Sequence, residues 1–335
     1  MINKPRRFGF TLIECLVVVG AITLLISLTL PAVQSSREAA RNLSCKNNLR
    51  QISLATQLYI NQNEGFPSIV GINIWSRRPL QGNWSSMHCQ LLPYLEHQNL
   101  YNSINFRVSM CFPENFPLEN RTCAVTSVEC FVCPTDSEAF PAPYGTLSYR
   151  ANDGLDNFRT TNYPIIGRYL YRVDDGAFGR HGEILPLSSF MDGLSTTISL
   201  AEKCVGGSLN STYRPMRDWI YYGTNSIWTA DGWVTACSNI FDDRDYKLQS
   251  GRNWMLHGAV FSSFFASVAP NSMIPDCGMK TGGGEGIFAA RSYHPSGVNA
   301  AMADGSVRTF SSTTTQAFWR AIGTRNGGEV VDDVQ

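Results

Sequence analysis

The chain carries no excess of either charge: 27 basic and 27 acidic residues cancel over 335 positions, and charged residues make up only 16% of the whole. Phosphate binding needs a concentrated basic surface, and the arginines here are scattered, so nucleic acid is excluded as a partner. Catalytic signatures are missing too. There is no H-E-x-x-H, no G-x-S-x-G and no Walker loop; "TGGGEG" at Thr281–Gly286 lacks the Lys-Ser/Thr pair that cradles phosphate and reads as a loop. The five histidines, His88, His97, His181, His257 and His294, show no i,i+4 pairing and read as surface or locally bonded groups rather than metal ligands. No charge run, low-complexity linker or internal repeat divides the chain. These absences lead to the expectation of a non-enzymatic protein with no cofactor and no bound metal.

What is present is enough apolar material, 43% of residues, for one large domain or two ordinary ones. One long apolar run leads it. From Phe10 to Leu30, Glu14 is the only charged residue, and at about 1.5 Å per residue this segment spans about 30 Å, the hydrocarbon thickness of a bilayer. Lys4, Arg6 and Arg7 precede the run, which by the positive-inside rule leaves the N-terminus in the cytoplasm and the remainder outside. A secretory signal would have a shorter apolar core without an acid, followed by a small-residue cleavage site, for which "TLPAV" is a poor candidate. A plain single-span anchor explains length and orientation, with Glu14 near enough to the interface to reach it.

A third reading accounts for the acid. "RRFGFTLIE" resembles the processing site of type IV prepilins and type II secretion pseudopilins: a short basic leader ending in glycine, then Phe, then an apolar helix with Glu as the fifth mature residue. Pro31 falls where pilin helices often carry a proline and is expected to kink the helix near the membrane exit. The blocks "LPAVQSSREAARNLSCKNNLRQISLATQLYINQNEGFPS", "QLLPYLEHQNLYN", "FVCPTD", "MDGLSTTISLAEK" and "HPSGVNAAMADGSVRTF" are similar to the pseudopilin-like family of planctomycete bacteria, whose function is otherwise unknown. Cys15 departs from that pattern, standing where an aliphatic residue is usual. The resemblance implies cleavage after Gly9, methylation at Phe10 and a role for Glu14 in assembly, with a prepilin peptidase, an assembly platform and other pilin-like subunits as partners. It places the chain in the cytoplasmic membrane with its head periplasmic, and in a filament after assembly. A cell-envelope binding module on a static anchor, recognising polysaccharide or protein, is the alternative.

The expected architecture is α+β: a leader at 1–9, a transmembrane helix at 10–30, its continuation at 31–64, and a head at 65–335 with an antiparallel sheet and long loops. In the continuation, Leu49, Ile52, Ala55 and Tyr59 recur at spacings of three and four, which gives one apolar stripe for packing on a sheet. In the head, Asp-Gly occurs at Asp153, Asp175, Asp192, Asp231 and Asp304, each a turn signal. "VNAAMADGSVRTF" reads as a hairpin, and "IIGRYLYRV", "TISLAEK", "DWIYYG" and "SIWTADGWVT" as strands; a helix is expected over Thr315–Ile322 with Gly323 as its stop. Trp75, Trp84, Trp228 and Trp233 read as core and loop packing ahead of a sugar or protein contact.

Setting aside Cys15 in the span and Cys45 on the stalk, eight cysteines remain in the head: Cys89, Cys111, Cys123, Cys130, Cys133, Cys204, Cys237 and Cys277. An even set in an oxidising compartment is expected to form disulfides, although spacing does not choose the pairs. "CFVCP" at Cys130–Cys133 has no second C-x-x-C to complete a zinc site, with Cys123 and the dispersed histidines weak substitutes, and it lacks the strand and helix of a redox pair. Asp174, Asp175, Asp242, Asp243, Asp245 and Asp304 offer oxygen ligands for calcium, but none has the alternation of an EF-hand loop, and they read as solvated turns.

Overall fold

The computed structural model describes residues 11–70, 84–108, 110, 118–136, 145–155, 175–179, 184–207, 212–223, 227, 229–240, 246–247, 250–278 and 286–329. The chain forms two compact units, Met1–Leu43 and Ser44–Gln335. Helix α1, Leu12–Asn63, is continuous through Pro31. In the first unit its large apolar side chains, among them Leu12, Leu16, Ile22, Leu25 and Leu30, are all exposed. This helix is long and apolar enough to cross a membrane, and none of its most apolar window is buried.

In the second unit the same helix becomes amphipathic. Cys45, Leu49, Ile52, Ser53, Ala55, Thr56 and Ile60 are buried, a stripe at helical spacing, and the apolar members join a core that includes Tyr149, Ala151, Leu200, Ala301 and Ala303. Polar contacts flank the stripe. Asn48 Nδ2 donates to the Val132 carbonyl at 3.1 Å, and Gln57 Nε2 donates to the Ala303 carbonyl at 2.8 Å.

Short helices α2 (Met87–Leu91), α3 (Gln98–Ser103) and α4 (Arg121–Val125) precede the strands. The strands are β1 (Tyr149–Asn152), β2 (Ile198–Glu202), β3 (Trp219–Tyr221), β4 (Tyr246–Lys247), β5 (Ser263–Phe264), β6 (Asp276–Gly278), β7 (Gly286–Ile287), β8 (Val298–Met302) and β9 (Val307–Phe310). Among the described residues they form a sheet in the order β5-β1-β2-β8-β9 and a second in the order β4-β3-β6-β7. The α+β class holds, but the sheets are mixed rather than antiparallel: β1 pairs with β5 and β3 with β6 in parallel. Both parallel pairs join strands far apart in the chain, as parallel pairing requires a crossover and not a tight turn.

The hairpin β8–β9 turns at Asp304-Gly305, where Gly305 takes φ 90° and Ser306 N–H donates to Asp304 Oδ1 at 2.8 Å. "TISLAEK" and "DWIYYG" contain β2 and β3, while "IIGRYLYRV" lies outside the described residues. "SIWTADGWVT", expected as a strand, is largely helical: α5 spans Ala230–Ser238. Thr229 caps it by accepting from Gly232 N–H at 3.0 Å, and Asp231 stands in the first turn, so this Asp-Gly pair opens a helix instead of a turn. Helix α6, Gln316–Gly323, is capped by Thr315 and packs Trp319 and Ile322 against β8 and β9 side chains.

Candidate functional site

Gly9 and Phe10 lie outside the described residues. Glu14 stands in the first turn of α1, and Oε2 accepts from Thr11 N–H at 2.8 Å and from Thr11 Oγ1 at 2.9 Å. Glu14 N–H donates in return to Thr11 Oγ1 at 3.3 Å. This is a reciprocal capping box, which satisfies donors that the first turn otherwise leaves unpaired and sets the acid at the positive end of the helix dipole. The T-x-x-E spacing of "TLIE" is legible in the sequence, and it gives Glu14 a local role beside the assembly role that the resemblance implies.

The second constellation was not visible from spacing. Cys45 on the buried face of α1, Cys133 in the loop after Phe131, Glu202 at the end of β2 and His294 ahead of β8 converge, with one donor atom from each within 4.8 Å of all the others, and all four residues are buried. Cys45 and Cys133 form a disulfide with Cα atoms 5.1 Å apart. His294 Nε2 lies 3.5 Å from Cys133 Sγ and 3.5 Å from Glu202 Oε1. Glu202 is held in turn by Asn299, whose backbone N–H donates to Oε2 at 2.9 Å and whose side-chain amide donates to Oε1 at 3.0 Å. Thr309 Oγ1 donates to the Asn299 amide oxygen at 2.7 Å, so the hairpin β8–β9 fixes the carboxylate.

The expected disulfide set is corrected by these contacts. Cys45, assigned to an unpaired stalk, is bridged to the head, because the stripe that buries Leu49 also presses Cys45 onto the loop carrying Cys133. A second bridge joins Cys237 on α5 to Cys277 on β6. Cys89, Cys123, Cys130 and Cys204 keep free thiols, and Cys111 lies outside the described residues. Burial pushes the Cys89 thiol up to about 12 and the Cys130 thiol to about 11, so neither is a nucleophile at neutral pH.

Residues 34–317 match the family described as a protein of unknown function, DUF1559. The chain belongs to this family. No curated protein and no solved structure matches it. The family match begins beyond the apolar run, so it includes Cys45, Cys133, Glu202 and His294 and leaves out Gly9, Phe10 and Glu14.

Beside Cys133, a small cavity is lined by Asp136, Ser148, Lys203, Cys204 and Arg291. Its cations are anchored by Asp276: Lys203 Nζ pairs with Oδ2, and Arg291 reaches Oδ1 through Nε at 3.1 Å and NH2 at 2.9 Å. Burial works against the Asp276 carboxylate, but Arg291 and Lys203 outweigh it and hold the group below the usual range. Arg150, also buried, ties separate loops together by donating to the Ala259, Val260 and Cys204 carbonyls at 3.3 Å and to Ser250 Oγ at 3.0 Å. Gly251 (φ 66°) packs under it; a Cβ there would lie 2.5 Å from Arg150 NH2.

Of the calcium candidates, Asp174, Asp242, Asp243 and Asp245 lie outside the described residues. Asp175 Oδ1 accepts from Leu155 N–H at 3.1 Å, and Asp304 serves the hairpin turn. Trp233 is buried, Trp84 stacks on His257, and Trp75, Trp228 and His181 lie outside the described residues.

Proposed function

We propose that this member of the family is a prepilin-like structural subunit without a reaction of its own. It is inserted through α1 in the cytoplasmic membrane, cut after Gly9, methylated at Phe10, and assembled with other pilin-like subunits by a type II secretion or type IV pilus-like machine. The observation that carries this reading is the order of chemistry at the N-terminus: Lys4, Arg6 and Arg7, then Gly9, then an apolar helix with an acid in its first turn and every large apolar side chain of Leu12–Leu30 exposed. Such a surface needs lipid or neighbouring helices to cover it. Cleavage would create a positive amine at Phe10, and a carboxylate one turn further on attracts that amine strongly in a low-dielectric bundle. In this role the second unit, pinned by its bridges, forms the filament exterior on the periplasmic side.

The test is the N-terminal mass of the chain recovered from membranes and from sheared filaments. The expected species begins at a methylated Phe10, Gly9→Val blocks the cut, and retention of Met1–Gly9 in the wild-type protein would overturn the reading. The capping box favours a second reading, a statically anchored binding module for envelope polysaccharide or protein, since Thr11 already accounts for Glu14. Glu14→Ala and Thr11→Val separate the two. A loss of filaments in the first variant alone supports assembly; normal filaments in both reduce Glu14 to a cap.

A further inference from the structure

A disulfide needs neither a carboxylate nor an imidazole beside it, yet Cys45–Cys133 has both, buried and held in place. The two donor separations on either side of His294 Nε2, 3.5 Å to Cys133 Sγ and 3.5 Å to Glu202 Oε1, are close to the roughly 3.4–3.6 Å between ligand atoms of a tetrahedral zinc ion with bonds of about 2.0–2.3 Å. Once the bridge is open, the two sulfurs need only part to about 3.8 Å to complete the tetrahedron. The geometry points to a zinc site formed by Cys45, Cys133, His294 and Glu202 in the reduced protein, alternating with the disulfide in the oxidised one.

The donor chemistry suits the ion. Two thiolates, a neutral imidazole and a carboxylate are a set that borderline-soft Zn²⁺ accepts, and four protein ligands leave no open position, so the site is structural rather than catalytic. Its outer shell is present: Asn299 orients Glu202 through both carboxylate oxygens and is itself fixed by Thr309. The residual negative charge of such a site faces the cavity that Lys203 and Arg291 share with Cys133. The ligands come from α1, a loop, β2 and the approach to β8, so in either state the same four positions tie residue 45 of the helix to the rest of its unit.

Closing the bridge requires a disulfide as oxidant, such as glutathione disulfide, and opening it requires two equivalents of the corresponding thiol as reductant, by the same exchange run in reverse. In closing, the Cys45 thiolate attacks the oxidant, forming a mixed disulfide and releasing one thiolate; the Cys133 thiolate then attacks the Cys45 sulfur, closes the bridge and releases the second thiolate. The two protein sulfurs are oxidised, the external disulfide is reduced to two thiolates, and Zn²⁺ departs with its charge unchanged, returning Glu202 and His294 to each other. This inference concerns Ser44–Gln335 alone and is independent of how the N-terminus is read.

The test uses the full chain in detergent, reduced without oxygen and freed of metal, and titrated with Co²⁺ and then Zn²⁺. One equivalent of Co²⁺ is expected to give thiolate-to-cobalt charge transfer with intense tetrahedral d–d bands, and one equivalent of Zn²⁺ to bleach them. His294→Gln and Glu202→Gln should each weaken Co²⁺ binding at least about 10-fold, with the oxidised variants retaining the Cys45–Cys133 bridge and wild-type near-ultraviolet circular dichroism. Replacing Cys237 and Cys277 by serine should leave the bands in place, which separates this site from the other bridged pair, and replacing Cys130 by serine should leave them too, which excludes a pair formed by Cys130 and Cys133. Absence of charge transfer in the reduced wild-type chain overturns the proposal whatever the variants do, as do bands that survive both His294→Gln and Glu202→Gln.

Discussion

Replacing Cys45 and Cys133 together by alanine opens a loop of sequence separation 88, and two effects then compete. The bridge restricts the unfolded chain, and the loop-closure relation puts its contribution at about 4.6 kcal/mol for that separation. It also holds the second half of α1 in place, but there it has help. Leu49, Ile52 and Ile60 are at most 4% exposed, and full burial of such side chains contributes about 1.5–3 kcal/mol each, about 4.5–9 kcal/mol together. Asn48 and Gln57 add hydrogen bonds to Val132 and Ala303. Packing therefore matches or exceeds the bridge locally. Ser44–Asn63 should stay docked in the double variant, and the loss should appear as global destabilisation of about 4–5 kcal/mol. Guanidinium unfolding followed by circular dichroism measures the loss, and hydrogen exchange across residues 49–60 reports docking. An unchanged unfolding midpoint would refute the loop-closure argument. Loss of amide protection confined to 49–60, with the rest of the unit as stable as wild type, would refute the packing argument.

Alkylation of the unfolded but unreduced chain should modify Cys15, Cys89, Cys123, Cys130 and Cys204 and spare Cys45, Cys133, Cys237 and Cys277; peptide masses decide this, and label on any of the last four contradicts the pairing. Burial raises Asp136 from 3.8 to about 6 despite hydrogen bonds from Val205 N–H and Ser148 Oγ. Its stabilising contribution is therefore present below pH 3.8 and lost as pH rises through about 6, so Asp136→Asn should gain about 3 kcal/mol on the wild type across that window, and a pH-independent difference in urea midpoints would count against it. His88 is shifted the other way, from 6.5 to about 4, chiefly by burial, with its Nε2–H donated to the Tyr149 carbonyl at 2.9 Å. Stability present above pH 6.5 should decline by about 3 kcal/mol as pH falls through about 4, and His88→Gln should flatten that part of the profile in unfolding measurements.

The sequence by itself determined the features whose physics is local. The apolar run of α1, the stripe of Leu49, Ile52 and Ala55, the hairpin around Asp304-Gly305 and the cap at Thr315 each depend on neighbours within a few positions, and all four are present. Even the exceptions are written locally: Thr229 with Gly232 and Thr11 with Glu14 are capping patterns, the first inside a stretch whose alternation also fits a strand and the second at the head of an apolar run. Tertiary structure alone decided what depends on chain closure. The parallel pairs β1–β5 and β3–β6, the choice of Cys45 as partner for Cys133, and the meeting of Glu202 with His294 join residues 57 to 112 positions apart. Spacing carries no record of such contacts, because they follow from which faces bury together once the helix and both sheets have packed.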